Sequence, residues 1–366
     1  MNDHIKISKD KSWLPSKRPY YIFGPCSAES PEQLRQTASQ IHVNYQDIIF
    51  RAGVWKPRTR PDTFEGMGEE ALKWLIDIKQ EFGFKIATEV ANAKHVELCL
   101  KAGIDILWIG ARTTVNPFSV QAISDALKGE DVPVFVKNPI NPDFSLWMGV
   151  LERVNKSGIS KLGAIHRGFH LADNGPYRNA PQWNLAIQLK AELPNLPLIC
   201  DVSHISGNRE LIPYVAQKAI DLDMDGLLIE THIDPSSALS DAQQQLTPTQ
   251  LEQTIVGIIP KTTSSSDPEF KNKLELLREE IDSIDDDFID DLAARMVIAR
   301  KIGEYKKQNN VTILQVERWQ HVVQKCLAQG KALGLSEAFI RDLLNAVHDE
   351  SIRQQTSSYE GNDTAF

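Results

Sequence analysis

Short apolar runs alternate with amphipathic stretches through the first 260 residues of the chain. The runs are YYIFGPCS, DIIFRAGV, KIATEV, ILWIGA, PVFVKNP, LGAIHRG, LICDVSH and GLLIETH, rich in β-branched and aromatic residues. Each is followed by a stretch with helical spacing, such as PEQLRQTASQI or EEALKWLIDIKQEF. A strand that returns through a helix must pair in parallel with the next strand, because the helix carries the chain back to the end it started from. Eight such units predict an α/β protein with a (β/α)8 TIM barrel over residues 1–260. A doubly wound open sheet is the alternative, but it calls for a Gly-rich dinucleotide turn after its first strand, and GPCSAES does not supply one.

The segment PKTTSSSDPE, at 260–269, carries no large apolar residue and predicts a linker over 261–270. Beyond it the spacing is helical only. Between 273 and 307 there is no proline and one glycine, Gly303, which predicts a helix about 50 Å long at about 1.5 Å per residue. Its stripe Leu274, Leu277, Ile281, Ile284 and Phe288 has the 3/4 spacing of a helix–helix seam. Two further helices are expected at 316–333 and, capped by Ser336, at 337–355. The second domain is therefore all-helical, over 271–357, with a disordered tail at 358–366. One long and two shorter helices bury little alone, so a homodimer through the helical domain is expected.

Composition narrows the function classes. At 42% hydrophobic and 24% charged residues the chain is an ordinary soluble globular protein. No stretch approaches the roughly 18 apolar residues of a membrane span, and MNDHIKISKDKSW lacks the apolar core of a signal peptide. A cytoplasmic protein is expected. The net charge of −9 argues against nucleic-acid and anionic-membrane partners. Cys26, Cys99, Cys200 and Cys326 form no C-x-x-C pair, so neither a disulfide framework nor a zinc knuckle is expected, and any metal must be held by mixed ligands.

Barrel active sites lie at the C-terminal ends of the strands. Those ends carry Cys26, Arg51 with Lys56 and Arg58 just beyond, Glu89, Arg112, Lys137, His166 with Arg167, His204 and Glu230. The six cations Arg51, Lys56, Arg58, Arg112, Lys137 and Arg167 in an acidic chain call for anionic substrates, with phosphate or carboxylate the simplest supply. Cys26, His204, Glu230 and Asp241 offer a thiolate, an imidazole and two carboxylates, a set suited to Mn²⁺, Fe²⁺, Co²⁺ or Zn²⁺.

GPCSAES, RAGVWKPRTRP, ATE, IGART, VKN, HRG, DVSH, IETH and the aspartate of ALSDAQQQL, in that order, resemble the short type I beta 3-deoxy-D-arabino-heptulosonate 7-phosphate synthases. The resemblance implies one divalent metal ion per barrel, Mn²⁺ first, held by Cys26, His204, Glu230 and Asp241. It implies a phosphoenolpyruvate site at Arg51, Lys56, Arg112, Lys137 and Arg167, and an erythrose 4-phosphate site at Arg58 and Thr59. Lys56, Glu89 and His204 are the expected catalytic groups, Glu89 positioning the water that adds after the two substrates join. NPINPD after Lys137 replaces the glycine-containing turn of the family. The sister synthase that uses arabinose 5-phosphate is the runner-up, opposed by KPRT in place of an asparagine-containing KANRS loop. A metal hydrolase is a third reading, but water activation alone does not need so many cations.

On the long helix Arg295 and Lys306 are eleven residues apart, which places them within about 20° of one another in azimuth and suggests a cationic pocket in a bundle. LLREEIDSID, AARMVIARKIGEYK, VERW and ESIRQQ resemble the all-helical chorismate mutases. That resemblance implies that Arg278 from the other subunit, Arg295 and Arg318 contact the carboxylates of chorismate. It implies that Lys306 and Gln355 donate to the ether oxygen and that Ser351 lines the site. Gln315 and Trp319 stand where family members often carry an aspartate and a glutamate. The combined expectation is a bifunctional enzyme of aromatic amino-acid biosynthesis with prephenate as its inhibitor. The alternative is a synthase barrel with a non-catalytic, ligand-binding regulatory helical module.

Overall fold

The computed structural model describes residues 5–56, 62–262 and 264–360. The chain divides into two compact units, Met1–Thr263 and Ser264–Phe366. In the first, eight parallel strands close into a barrel in chain order: β1 (Tyr20–Gly24), β2 (Ile49–Arg51), β3 (Lys85–Val90), β4 (Ile106–Ile109), β5 (Val134–Lys137), β6 (Leu162–His166), β7 (Leu198–Asp201) and β8 (Gly226–Glu230). Closure is made by β1 against β8, with Tyr20 opposite Gly226 and Gly24 opposite Glu230. All eight apolar runs become strands, because only a strand covered on both faces tolerates so little polarity.

Ile22, Ile49, Ile106, Trp108, Phe135, Ile165, Ile199 and Leu228 fill the interior of the barrel. Trp13 and Leu14, ahead of β1, join this inner cluster, and the Trp13 ring lies 5.1 Å from that of Phe135. Outward-facing residues such as Phe23, Phe50, Ile86, Leu107 and Val136 pack against the surrounding helices in a second, larger core. The interior is therefore a packed plug, and functional side chains are left to the strand ends.

The second unit is a long helix (Pro268–Gln308), a second helix (Val316–Ala332) and a third (Glu337–Glu360). The long helix starts five residues before the expected position, because Pro268 suits the first helical turn and the Asp267 side chain accepts from Glu269 N. The last three residues of the expected linker are thus helical. The third helix likewise reaches Glu360, so 358–360 of the expected tail are helical, and 361–366 lie outside the described residues. The third helix packs against both others. Leu277, Ile281, Ile284 and Phe288 of the stripe remain 49%, 57%, 66% and 43% exposed. Among the described residues no helix is long and apolar enough to cross a membrane.

Candidate active sites

The C-terminal ends of the strands surround a cavity of about 400 Å³ lined by Lys56, Glu89, Arg112, Lys137, Arg167, Arg178, His204 and Asp241, among others. Arg51, buried at the end of β2, donates from Nη1 to Glu230 Oε1 at 2.7 Å and to the Pro25 carbonyl at 2.9 Å, and its guanidinium lies 4.9 Å over the Trp108 ring. Lys137 Nζ donates to Asp201 Oδ2 at 2.7 Å. Trp108 Nε1 donates to Glu89 Oε2 at 2.8 Å, and a Cβ at Gly110 would displace that carboxylate from its present position. Arg167 is set by two asparagines: its N–H donates to Asn138 Oδ1 at 2.7 Å and its Nη1 to Asn179 Oδ1 at 2.6 Å. Burial in this cationic wall, with Arg178 and Arg112 nearby, pushes the Arg167 guanidinium down to about 10.

Cys26 Sγ and carboxylate oxygens of Glu230 and Asp241 lie within 4.8 Å of one another. His204 Nε2 is 3.7 Å from Asp241 Oδ2. Asp201 accepts from His204 Nδ1 at 2.9 Å, which leaves Nε2 as the ring nitrogen turned toward Asp241. Burial alone would raise the Asp201 pKa, but His204 and Lys137 outweigh it and hold the carboxyl well below its usual range. Burial and then the negative charge of Glu230 push the Cys26 thiol up to about 12, against the opposing effect of Lys56 Nζ at 3.0 Å from Sγ. The thiol therefore keeps its proton at neutral pH until a cation replaces it. Sulfur, imidazole nitrogen and carboxylate oxygen on one wall fit a borderline divalent metal.

In the helical unit Arg295 Nη1 donates to Ser351 Oγ, and Lys306 Nζ donates to Gln355 Oε1 at 3.1 Å and to the Ile313 carbonyl. The long and third helices meet closely here: a Cβ on Gly303 would lie 2.9 Å from Gln355 Cα. Partial burial lowers the pKa of Lys306 below the usual lysine value. Trp319 stacks on His348 with ring centroids 3.9 Å apart.

A family model described as the DAHP synthetase I family matches residues 7–264. The chain belongs to the DAHP synthetase I family. A second model, chorismate mutase type II, matches residues 277–356, so the synthetase barrel is fused to a mutase domain. The phospho-2-dehydro-3-deoxyheptonate aldolase of Thermotoga maritima is 30% identical over 228 residues, covering 62% of this chain and 64% of that protein's length. The 2-dehydro-3-deoxyphosphooctonate aldolase of Helicobacter acinonychis is also 30% identical, over 70% of this chain and 98% of its own. A crystal structure of the Thermotoga maritima enzyme superposes with a TM-score of 0.57 at 25% identity, covering 66% of this chain and 71% of that one.

In the synthetase barrel the expected metal donors and Arg51, Lys56, Glu89, Arg112, Lys137 and Arg167 converge on one strand-end site. Arg58 and Thr59 lie outside the described residues. Sequence reasoning did not single out Asp201, although its place three residues before His204 at the end of β7 was a usable signal. It also missed Trp108, Asn138, Arg178, Asn179, Gln244 and Gln245. Arg178 pairs with Asp241 Oδ1 at 3.0 Å from a loop whose side-chain directions follow no period. Asn138 also donates to the Gly168 carbonyl at 2.7 Å and so braces the loop after Arg167. In the mutase domain Arg295, Lys306, Ser351 and Gln355 come together as expected. Arg278 is exposed and pairs with Glu275 at 3.4 Å, and Arg318 is exposed on the second helix.

Proposed function

We propose that the barrel condenses phosphoenolpyruvate with erythrose 4-phosphate, with the aid of one divalent metal ion, to give 3-deoxy-D-arabino-heptulosonate 7-phosphate, and that the helical unit rearranges chorismate to prephenate. The observation that carries the first half is the cavity in which Lys56, Arg112, Lys137, Arg167 and Arg178 stand with His204 and Asp241, the latter shared with the Cys26, Glu230 and Asp241 cluster. Lys137, Arg112 and Arg167 hold the phosphate and carboxylate of phosphoenolpyruvate, with Arg51 braced behind them on Glu230. Its methylene carbon attacks the aldehyde, and a proton held at Lys56 Nζ goes to the aldehyde oxygen. Glu89, anchored by Trp108, positions the water that adds to the cationic carbon left behind, after which phosphate departs. A divalent metal bound by the four donors supplies Lewis acidity toward the aldehyde or a template that orients it, with Mn²⁺, Fe²⁺, Co²⁺ and Zn²⁺ all matching the donor set.

The mutase reaction needs neither acid nor base. Arg295, and Arg318 with Arg278 of the partner subunit, hold the carboxylates, Lys306 and Gln355 donate to the ether oxygen, and Ser351 lines the wall. The exposed stripe from Leu277 to Phe288 supports a homodimer through this unit. The partners are these small molecules in a cytoplasmic setting, and the acidic net charge of −9 speaks against nucleic acid and anionic membrane. A non-catalytic, ligand-binding helical module is the second reading, favoured by Trp319, whose indole is committed to His348.

Chelator treatment of the full chain is expected to stop condensation, with activity returning on addition of Mn²⁺, while loss of chorismate absorbance continues unchanged. Full condensation in the chelated chain refutes metal dependence, and equal turnover of arabinose 5-phosphate refutes the four-carbon aldose. Prephenate binding without any loss of chorismate selects the regulatory module. Prephenate, the product of the helical pocket, is also expected to inhibit the barrel, with coupling of about 5- to 150-fold in apparent affinity. A synthase rate of the full chain that is flat up to saturating prephenate refutes the feedback and leaves both catalytic assignments in place.

A further inference from the structure

Two neighbouring amides in DAQQQL sit where three of the four proposed metal donors meet. Gln244 Oε1 accepts from Arg178 Nη1, and Gln244 Nε2 donates to Glu230 Oε2 at 2.6 Å. Arginine only donates and an ionised carboxylate only accepts, so one orientation of the amide satisfies both partners. The same Nε2 lies 3.5 Å from Asp241 Oδ2. Gln245 is fully buried. Its Oε1 accepts from the backbone N–H of Cys26 at 2.9 Å, and its Nε2 donates to the Ser240 carbonyl at 2.8 Å. One residue away the same two segments are joined again, with Ser27 Oγ and Ser240 Oγ 2.5 Å apart.

These contacts act on different degrees of freedom. Arg51 holds Oε1 of Glu230 and Gln244 holds Oε2, so the carboxylate cannot rotate and its remaining lone pairs point one way. Cys26 stands at the end of β1, whereas Asp241 is 215 residues further on in the loop after β8. The loop is bridged to the end of β8 at Leu246, but among the described residues no ladder hydrogen bond reaches Asp241 itself, which adopts a φ of +49° that a non-glycine residue keeps only when its surroundings hold it. Gln245 and the Ser27–Ser240 contact supply the hold.

Building on the metal-dependent reading above, we infer that Gln244 and Gln245 are positioning residues that set the orientation and spacing of Cys26, Glu230 and Asp241 for one divalent cation. Gln244 does so by fixing the Glu230 carboxylate, and Gln245 by tying the Asp241 loop to Cys26. Removing such a partner of a metal ligand typically costs about 10- to 100-fold in metal affinity.

The test titrates Co²⁺ into the metal-free full-length chain by calorimetry and follows the thiolate-to-cobalt charge-transfer band, for wild type, Gln244→Met and Gln245→Met. Each variant is expected to bind Co²⁺ about 10- to 100-fold more weakly. Gln245→Met loses intensity in the band as Cys26 leaves the set, whereas Gln244→Met keeps it. Gln245→Glu, which keeps the shape and the acceptor for Cys26 N–H but loses the donor to Ser240, serves where Gln245→Met does not fold and is expected to show the same weakening. A merely structural role lowers the melting midpoint of the metal-free chain and leaves the affinity and the band of the folded variants as in wild type, which overturns the inference. A wild-type chain that takes up no Co²⁺ fails differently: it overturns the metal reading beneath the inference.

Discussion

Replacement of Lys306 by alanine is expected to lower chorismate turnover by about 100- to 1000-fold, the loss typical when one preorganised charge donor is removed from an active site. Lys306 is held at the pocket by Gln355 Oε1 at 3.1 Å and by the Ile313 carbonyl, so its ammonium is oriented before any substrate arrives. In the rearrangement the ether oxygen gains negative charge in the transition state, and a donor already aimed at it requires no reorganisation. Alanine also removes the donor without enlarging a packed apolar core, since Lys306 is only half-buried. The measurement is the initial rate of chorismate absorbance loss at saturating substrate, and wild-type-like turnover disposes of the proposed pocket. The pH profile follows from the same residue. Burial lowers the Lys306 pKa, so the cation is lost as pH rises through that lowered value. Turnover should accordingly fall on the alkaline side at a lower pH than titration of an exposed lysine would give.

Arg51→Met is expected to cost about 3–5 kcal/mol in barrel stability and to abolish most condensation activity, because it leaves a buried carboxylate without its cation. Arg51 and Glu230 are 2% and 0% exposed and 2.7 Å apart. Methionine fills much of the volume over Trp108, so the deficit comes from the unpaired charge rather than from a void. At about 2–4 °C per kcal/mol the melting midpoint of the barrel falls by roughly 10 °C. A divalent cation bound beside Glu230 would itself neutralise the carboxylate, so the deficit should shrink when Mn²⁺ is added before melting. A variant that melts with wild type in the metal-free state shows that the pair contributes no net stability. Equal deficits with and without Mn²⁺ show instead that Glu230 does not face the ion.

The parts of this protein that could be read from its sequence are those with a short period. Alternation of apolar strand and amphipathic helix is written locally, so all eight strands of the barrel and the three helices of the second unit fall where their spacing puts them, within a few residues. Helix ends were less readable: Asp267 and Pro268 start the long helix inside the stretch taken as linker, since a cap depends on one side chain rather than on a period. Arg295 and Lys306 were paired by azimuth on a single helix, and the structure brings them to Ser351 and Gln355.

Once a parallel barrel is accepted, its topology also determines that the strand ends converge, so Cys26, Arg51, Glu89, Lys137 and Glu230 could be gathered from five separate segments by one rule. What only the tertiary structure decided is what each of those side chains leans on. Arg51 is committed to Glu230, Lys137 to Asp201 and Trp108 to Glu89. Arg178, Gln244 and Gln245 enter the site from loops. A loop side chain has no period to announce its direction, and its partner lies tens to hundreds of residues away along the chain. The donors were therefore readable from the sequence, because regular secondary structure repeats. The scaffold of hydrogen bonds that aims them was not, because it is made of single long-range contacts that exist only once the chain has closed.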